Sequence, residues 1–322
     1  MIDVAREAGV SAATVSRVLN GKPVRQDLAE AVHRVVQELG YSPDRTARSL
    51  RRRHSAVLAL ILPDIENPFF TAVARGVEDI AEQAGYSVVI CNSDDLPDKE
   101  SRYIQVAELE NMAGLIIAPT NSEPSIDRLI AKGRPVVMID RTVKQNVDQV
   151  TFDNVDLGFR ATQALIERGC RRIACVTGPV SASTARDRAT GWRAAIADAG
   201  LDAPPDYLTH QSFRVEGAHQ VIAQLLDLAA PPDAVVAANN LSGVGVLKAI
   251  TERGIENDFC VSVIGDLPFV TTLLPKVTNV PLNPRGLGVI AARMVLERLT
   301  GLDLPPRLVV LRETASSPTR AL

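Results

Sequence analysis

Residues 56–92 form the stretch AVLALILPDIENPFFTAVARGVEDIAEQAGYSVVICN, which sets the architecture of most of the chain. It opens on an apolar run of strand length, AVLALILP. Residues Phe69–Ala84 then place apolar side chains at helical spacing, and Gly85 ends the pattern. The next run, YSVVICN, is again of strand length. This order predicts a strand–helix–strand unit with parallel strands covered by helices.

The same alternation continues through the rest of the chain. GLIIAP, PVVMID (after a helix that starts near Ser125) and QVTFDN complete a first series of strands, and RIACVTG, DAVVAAN and CVSVIG make a second. Further helices are expected near Leu157–Arg168, Thr184–Ala199, Val215–Leu228 and Leu241–Arg253. Two series predict an α/β protein of two doubly wound parallel-sheet lobes, with a ligand between them at the carboxyl ends of the strands.

Composition and motifs exclude several classes of protein. The 322 residues suggest about two domains, and 46% hydrophobic with 23% charged residues is typical of soluble globular proteins. No apolar run is long enough to span a bilayer, and the first twenty residues lack the apolar centre of a secretory signal. We therefore expect a cytoplasmic protein with no membrane partner. Neither G-x-G-x-x-G after the first strand nor G-x-x-x-x-G-K-[ST] occurs, so nucleotide binding through such loops is not expected.

The cysteines indicate no cofactor. None of the four forms a C-x-x-C pair, and reduced structural thiols are favoured over a metal site or a disulfide. These residues are Cys91, Cys170, Cys175 and Cys260.

Charge is distributed unevenly along the chain. Residues 1–55 hold ten basic and six acidic residues, a net charge of +4, whereas the whole chain carries −3. A basic head on an acidic body is expected if only the head meets a polyanion. Many soluble domains carry such an imbalance, so the charge distribution alone does not show that the head binds a polyanion, and its sequence motifs are needed.

The basic head has the pattern of a helix-turn-helix. A short helix over Asp3–Ala8 is broken by Gly9, and Ser11 is a suitable N-cap for a second helix over Ala12–Leu19. Asn20-Gly21 ends that helix, and a third is expected over Gln26–Leu39. The core of the head is expected to consist of three small residues, Ala5, Ala8 and Val15. In this motif the start of the second helix faces base edges in the major groove. The residues expected there are Ser11, Ala12, Ala13, Thr14, Ser16, Arg17 and Asn20.

Two stretches of the head together resemble one family. IDVAREAGVSAATVSRVLNG and the following ELGYSPDRTARSLRRRHS are similar in order and spacing to the head of lactose-repressor (LacI/GalR) regulators. The resemblance implies a hinge helix in which Leu50 wedges into the minor groove, while Arg48 and Arg51 contact phosphates. A flexible basic linker is the alternative interpretation of this segment. The chain departs from the family by lacking the threonine that caps the first helix, for which we predict weaker order in that helix.

The body resembles the same family throughout. ILPDIENPFFTAVARGVEDIAEQAGYSVVICNSD, VTFDNVDLGFRATQALIERG, TARDRATGWRAAI and AANNLSGVGVLKAI occur in family order. The implied fold is that of periplasmic sugar-binding proteins of type I, in which the chain crosses between the lobes three times. We therefore divide the chain into a head, a hinge or linker, and a body. The expected ranges are 1–41, 42–55 and 56–322, with lobe one at about 56–152 and 285–312 and lobe two at about 153–281 and 313–322.

The resemblance also implies which side chains meet the ligand. Aromatic residues would supply an apolar face, and polar residues after the strands would supply hydrogen bonds, as in sites for sugars and other small polar molecules. The alternatives are core packing for the phenylalanines, an ion pair with Asp187 for Arg188, helix capping for Thr184, and a satisfied turn for Asn239. The implied ligand residues are Phe69, Phe70, Asp140, Thr184, Arg188, Phe213, Asn239 and Asp266. The segment Gly265-Asp266-Leu267 is shorter than in the family, and Leu282 stands where many relatives have a polar side chain, so the ligand or its pose differs from that of the lactose repressor.

These features predict a ligand-controlled transcription regulator, most simply a repressor. It would bind a pseudo-palindromic operator as a homodimer and respond to a small polar effector, a sugar or a sugar acid. A sugar-binding transport protein would have no use for the basic head. An enzyme would need a nucleophile with a base, and His33, His54, His210 and His219 show no such arrangement. No catalytic residue and no metal ligand is therefore predicted.

Overall fold

The computed structural model describes residues 1–19, 22–40, 55–267 and 276–312. The chain forms two compact units, Met1–Ser55 and Ala56–Leu322. Because the units are separate, we describe each by itself.

The first unit contains three short helices. They are α1 (Ile2–Glu7), α2 (Ala12–Leu19) and α3 (Gln26–Glu38), each within a residue of the bounds that the sequence predicts. Their shared core consists of Val4, Ala5, Val15, Val18, Val32 and Val35, with Ala8 only partly buried. No side chain caps α1, because Met1 stands at its N-cap. The predicted helical head with a turn between α1 and α2 is confirmed.

The first sheet of the second unit has six parallel strands in the order β2–β1–β3–β4–β5–β11. These strands and the helices that accompany them make lobe one. They are β1 (Val57–Leu62), α4 (Pro68–Gln83), β2 (Ser87–Asn92), α5 (Pro97–Leu109), β3 (Gly114–Ile117), α6 (Asp127–Ala131), β4 (Val136–Ile139), β5 (Asp148–Phe152), α11 (Pro284–Leu299) and β11 (Leu308–Leu311).

The second sheet has five parallel strands in the order β7–β6–β8–β9–β10. Its elements make lobe two. They are α7 (Asn154–Glu167), β6 (Ile173–Thr177), α8 (Ser183–Asp198), a short 3₁₀ helix (Pro205–Tyr207), β7 (Leu208–His210), α9 (Val215–Leu226), β8 (Ala234–Ala237), α10 (Asn240–Glu252), β9 (Cys260–Ile264) and β10 (Val277–Val280).

The two sheets repeat one topology. In each, the second strand lies at one edge, the first strand lies beside it, and the later strands extend in sequence on the other side. The order of strands therefore reverses between β1 and β3 in lobe one and between β6 and β8 in lobe two. Such reversals open a crevice at the carboxyl ends of the strands, where ligands bind. The predicted pair of doubly wound parallel sheets is confirmed.

Glycines let the first two helices of lobe two pack closely. A Cβ atom at Gly158 of α7 would lie 2.1 Å from the carbonyl oxygen of Arg188 on α8, and one at Gly191 of α8 would lie 2.0 Å from the carbonyl oxygen of Val155. Since real side chains cannot approach so closely, glycine at both positions is what brings the helices together. The contact fixes the backbone of Arg188 against α7.

The four cysteines are free and buried, as expected.

Candidate ligand cavity and DNA-reading helix

A cavity of about 800 Å³ lies where the carboxyl ends of the two sheets face each other. Residues that follow β1, β3 and β4 line it from lobe one, and residues that follow β6, β8 and β9 line it from lobe two. All eight ligand residues implied by the sequence contribute to its wall: Phe69, Phe70, Asp140, Thr184, Arg188, Phe213, Asn239 and Asp266.

The start of α4 places two aromatic rings at the cavity. Asn67 caps the helix, and its Oδ1 atom accepts a hydrogen bond from the Phe69 N–H at 3.0 Å. The rings of Phe69 and Phe70 meet edge to face with centroids 5.0 Å apart. Phe70 is buried and belongs to the hydrophobic core, whereas Phe69 is half-buried. Both interpretations given to this pair therefore hold, because the same rings pack the core and line the cavity.

Phe213 faces the cavity from lobe two. Its ring lies against Gly178, where a Cβ atom would come within 2.2 Å of the ring carbon Cε2. Gly178 directly follows β6, so only a residue without a side chain leaves room for the ring there. Phe213 also accepts a hydrogen bond at its carbonyl from Asn239 Nδ2 at 3.2 Å.

Arg188 is a buried cation of the cavity wall. Its Nε atom donates to Asn154 Oδ1 at 2.9 Å, and its Nη1 atom donates to the carbonyl of Ala238. Burial lowers the pKa of this guanidinium, and the carboxylates of Asp140 and Asp187 oppose that shift. Among the described residues no carboxylate lies within ion-pair distance of it, so the expected alternative, a pair with Asp187, does not form.

Asp140 supplies a buried carboxylate on the opposite side of the cavity. The backbone φ of Asp140 is 64°, in the left-handed region. The N–H of the following residue, Arg141, donates to the carbonyl of the preceding residue, Ile139, at 2.6 Å, and this bond closes a three-residue turn. Thr151 Oγ1 donates to the Asp140 carbonyl at 3.0 Å and holds the turn. The carboxylate itself accepts no hydrogen bond from the described residues, and Arg141 Nε lies 3.9 Å away. Burial raises the pKa of Asp140, while Arg188 and Arg141 act in the other direction.

Asn239 and Thr184 differ from expectation in their hydrogen bonds. Asn239 caps α10 by accepting from the Ser242 N–H at 2.8 Å, which is the satisfied arrangement that was its alternative. For Thr184 the alternative interpretation, helix capping, is wrong, because α8 begins one residue earlier, at Ser183, with Ala182 at its N-cap. Thr184 is instead a buried residue of the first turn.

Asp266 lies at the mouth of the cavity and is exposed. It follows β9 and Gly265, whose φ of 99° turns the chain at the end of the strand. Leu282 also lines the cavity and is nearly buried, so this part of the wall is apolar.

Sequence reasoning missed Arg141, which follows Asp140 directly and also lines the cavity. Its Nη1 atom donates to Asp95 Oδ1 at 2.6 Å and to the Pro119 carbonyl at 3.0 Å, while its Nε atom has no hydrogen-bond partner among the described residues. The signal available in the sequence was the adjacent Asp140. The partner Asp95 lies 46 positions away, and nothing in the sequence indicates this pairing.

Polar contacts between described residues join the lobes near the cavity. Asn240 Nδ2 donates to Asn67 Oδ1 at 3.1 Å, and the Thr142 N–H donates to Ser183 Oγ at 2.9 Å. Arg214 Nε lies 3.8 Å from a carboxylate oxygen of Asp64. Two of these contacts, Asn240 with Asn67 and Arg214 with Asp64, are therefore made by side chains that also line the cavity.

The second helix of the head presents the side chains that the sequence assigns to DNA. Ser11 Oγ accepts from the Thr14 N–H at 3.1 Å, which confirms it as the cap of α2. Val15 and Val18 are buried against the other helices, whereas Ala12, Ala13 and Arg17 are exposed, and Thr14 and Ser16 are half-buried. The remaining DNA-binding predictions, Asn20, Arg48, Leu50 and Arg51, lie outside the described residues.

The described ranges contain no candidate for two other kinds of feature. Within them, no group of three or more His, Cys, Asp and Glu side chains is placed to hold a metal ion. No helix in those ranges combines the length and the apolar character that a transmembrane span requires.

Two family models together match nearly the whole chain. Residues 1–44 match the model of bacterial regulatory proteins of the lacI family, and residues 55–307 match the model of periplasmic binding proteins and sugar-binding domains of that family. The ribose operon repressor of Halalkalibacterium halodurans is 33% identical, over 97% of this chain and 96% of its own length.

Solved structures agree with these matches. The complex of the transcriptional regulator CelR with cellobiose is 28% identical, with a TM-score of 0.73, and covers 96% of this chain and 95% of its own. The lac repressor dimer bound to operator and the anti-inducer ONPF has a TM-score of 0.83 at 24% identity, over 96% of this chain and 95% of its own, and this likeness concerns the fold.

Proposed function

Since the chain belongs to the LacI family of bacterial regulatory proteins, we propose that it is a transcription repressor controlled by a sugar or a sugar acid. The head binds a pseudo-palindromic operator, and the effector binds in the cavity between the lobes. Effector and operator then affect each other's affinity reciprocally. The protein acts in the cytoplasm, where its operator lies.

One observation carries the assignment of the cavity. Arg188 of lobe two and Asp140 of lobe one line the same cavity, one with hydrogen-bond donors and the other with acceptors. Phe69 and Phe213 add apolar surfaces. A hydroxyl group donates and accepts, so a compact polyhydroxylated molecule satisfies both lobes at once and favours one angle between them. The relatives whose names refer to ribose and cellobiose support a carbohydrate.

For the head, we assign base recognition to the exposed start of α2. Arg17 carries donors suited to guanine, and Ala12 and Ala13 offer apolar contact, for example to a thymine methyl group. Ser11, Thr14, Ser16 and Asn20 complete this surface in the proposal. Arg48, Leu50 and Arg51 of the 42–55 hinge supply phosphate contacts and the minor-groove wedge.

The repressor is proposed to act as a homodimer. The head alone is small, and two heads are needed to bind both halves of a palindromic site. Lobe one offers a surface for such pairing, because the edge strand β2, the helix α5 and the N-cap residue before that helix expose apolar side chains that water would otherwise contact. These are Val89, Ile90, Leu96, Val106 and Leu109.

A gel-shift titration of the purified protein tests this function. Duplexes covering the DNA upstream of its own gene and of neighbouring sugar-uptake genes would be titrated at fixed salt, with and without a panel of sugars and sugar acids. We expect nanomolar binding to one near-palindromic site and a shift of at least about tenfold with one compound. Equal, salt-sensitive binding to every duplex would contradict the proposal.

A further inference from the structure

We infer that the cavity selects an uncharged polyhydroxylated effector and excludes the carboxylate and phosphate derivatives of the same sugar. This inference rests on the proposed function and narrows its ligand from sugars and sugar acids to neutral sugars. It follows from how the charges of the cavity wall are already matched.

The protein already uses some of the hydrogen-bond donors of the Arg188 guanidinium. Two of its five N–H groups are used, one by Asn154 Oδ1 and one by the carbonyl of Ala238. Neither partner carries a negative charge. The carboxylates that act on this cation are those of Asp140 and Asp187, and both favour its charged state. Arg188 therefore has donors left for hydroxyl oxygens, while its charge is already opposed by two carboxylates.

The other two cations of the wall face carboxylates directly. Arg141 Nη1 donates to Asp95 Oδ1 at 2.6 Å, and Arg214 Nε lies 3.8 Å from Asp64. An anionic group entering the cavity would have to displace one of these carboxylates or bind beside it. The charge of each cation is therefore already opposed by a nearby carboxylate, although Arg141 Nε keeps an unused hydrogen-bond donor.

Carboxylates outnumber cations around the cavity. Its wall contains three arginines, Arg141, Arg188 and Arg214, and five aspartates, Asp64, Asp94, Asp95, Asp140 and Asp266. Lys99, whose Nζ atom contacts Asp94, stands behind the wall and offsets one aspartate. The surroundings of the ligand therefore do not attract an anion.

Asp140 contributes a buried carboxylate to the lobe one wall of the cavity. Its carboxylate is buried, and no described residue donates a hydrogen bond to it. When a ligand displaces water from the cavity, this acceptor needs a donor from the ligand, since an unsatisfied buried carboxylate is costly. A sugar hydroxyl supplies that donor, whereas a ligand carboxylate or phosphate would bring a second negative charge to the same place.

Isothermal titration calorimetry with matched ligands tests the inference. Neutral pentoses and hexoses, among them D-ribose, would be compared with their aldonic acids and their phosphates at pH 7.5. We expect at least one neutral sugar to bind, and its acid and phosphate to bind at least about 100-fold more weakly, since like charges in contact cost several kcal/mol. An acid or phosphate that binds as tightly as its neutral parent would overturn the inference while leaving the proposed function intact. If no compound of any class binds, the ligand half of the proposed function fails, and the inference fails with it.

Two variants sharpen the comparison. D95N removes the carboxylate that faces Arg141, and Asp95 is 40% exposed, so the fold should tolerate the change. D140N removes the negative charge of Asp140 from the cavity wall, and asparagine accepts the same left-handed backbone. Both are expected to reduce the ratio of neutral-sugar to anionic-sugar affinity by at least about tenfold. A ratio unchanged in both variants would show that charge does not set the selectivity and would overturn the inference.

Discussion

Arg188 Nε donates a 2.9 Å hydrogen bond to Asn154 Oδ1, and both residues are buried. Asn154 is the first residue of α7, directly after the chain leaves lobe one. Its Nδ2 atom donates back to the carbonyl of Phe152, the last residue of β5, at 3.2 Å. The side chain of Asn154 therefore connects Arg188, an arginine of the cavity wall in lobe two, to the end of a lobe one strand.

We expect N154A to weaken effector binding by about 10- to 100-fold. A hydrogen bond to a charged group contributes about 1.5–3 kcal/mol, and without it the guanidinium is no longer held in place. The link to the end of β5 is lost as well, so the effector should shift operator affinity less than it does in the wild type. Calorimetry and gel shifts with and without the effector measure the two effects.

The neighbouring residue provides the control for N154A. Asp153 caps α7 through the Asp156 N–H at 3.2 Å, so D153A should cost about 1 kcal/mol of stability. Its effector affinity should stay near that of the wild type. If both variants lose the same effector affinity, Asn154 has no role beyond stabilising the start of α7.

The second prediction concerns stability as a function of pH. Burial raises the pKa of Asp140 above its ordinary value of about 4, against the opposing charges of Arg188 and Arg141, and Asp95 adds to the rise. The folded protein therefore binds this proton at a higher pH than the unfolded chain does. Consequently, Asp140 lowers the stability of the ligand-free protein as pH rises from about 4 to its folded pKa, and this loss persists at neutral pH.

D140N should thus raise the thermal midpoint of the ligand-free protein at neutral pH and flatten its decline above pH 4. The same change should weaken sugar binding, since a strong acceptor is lost. Thermal melts at several pH values, without ligand, measure the first effect. D266N serves as a control, because Asp266 is exposed at the cavity mouth. A lower midpoint for D140N than for the wild type at neutral pH would contradict the account of Asp140 as a destabilising buried charge.

The sequence predicts those residues of the site that belong to a recognisable local motif. It does not predict contacts between residues that are far apart in the chain. The family resemblance located Arg188 and Asp140, and the position of Asp140 directly after a strand agrees with it, since strand ends converge in a parallel sheet. Their partners could not be located, since the Arg141 pair with Asp95 spans 46 positions and the Thr142 contact with Ser183 spans 41. Such pairings depend on loop paths between elements, which local patterns do not specify.

The same limit explains the errors in the elements. β7 covers only Leu208–His210, which is too short for an alternation to be visible in the sequence. Thr184 resembles a cap by residue type, but Ala182 precedes the helix and Ser183 Oγ accepts from the Thr142 N–H of lobe one. No side-chain cap is formed at the start of α8, and the Ser183 hydroxyl is used in a contact between the lobes.

The third prediction separates base recognition from general charge. R17A should weaken binding to the operator by about 1–3 kcal/mol and relax the preference at one base pair, since Arg17 is exposed on α2. R34A removes the same charge from α3, where Arg34 is also exposed, and should have a smaller effect that is uniform across sequences. Gel shifts on operator and scrambled duplexes at two salt concentrations distinguish them. Equal losses for the two variants would assign Arg17 to phosphate contact alone.

The last prediction concerns the homodimer. Ile90 is 51% exposed on β2, which is the edge strand of its sheet. Exposed apolar side chains on a strand edge favour pairing with another chain. I90E should therefore shift the protein toward the monomer in analytical ultracentrifugation. It should also reduce operator affinity steeply, because one head contacts only half of the site, while effector binding persists. I130E, on α6 and at 44% exposure in the wild type, is the matched control and should remain dimeric. A dimeric I90E protein with full operator affinity would place the dimer contact elsewhere on the body.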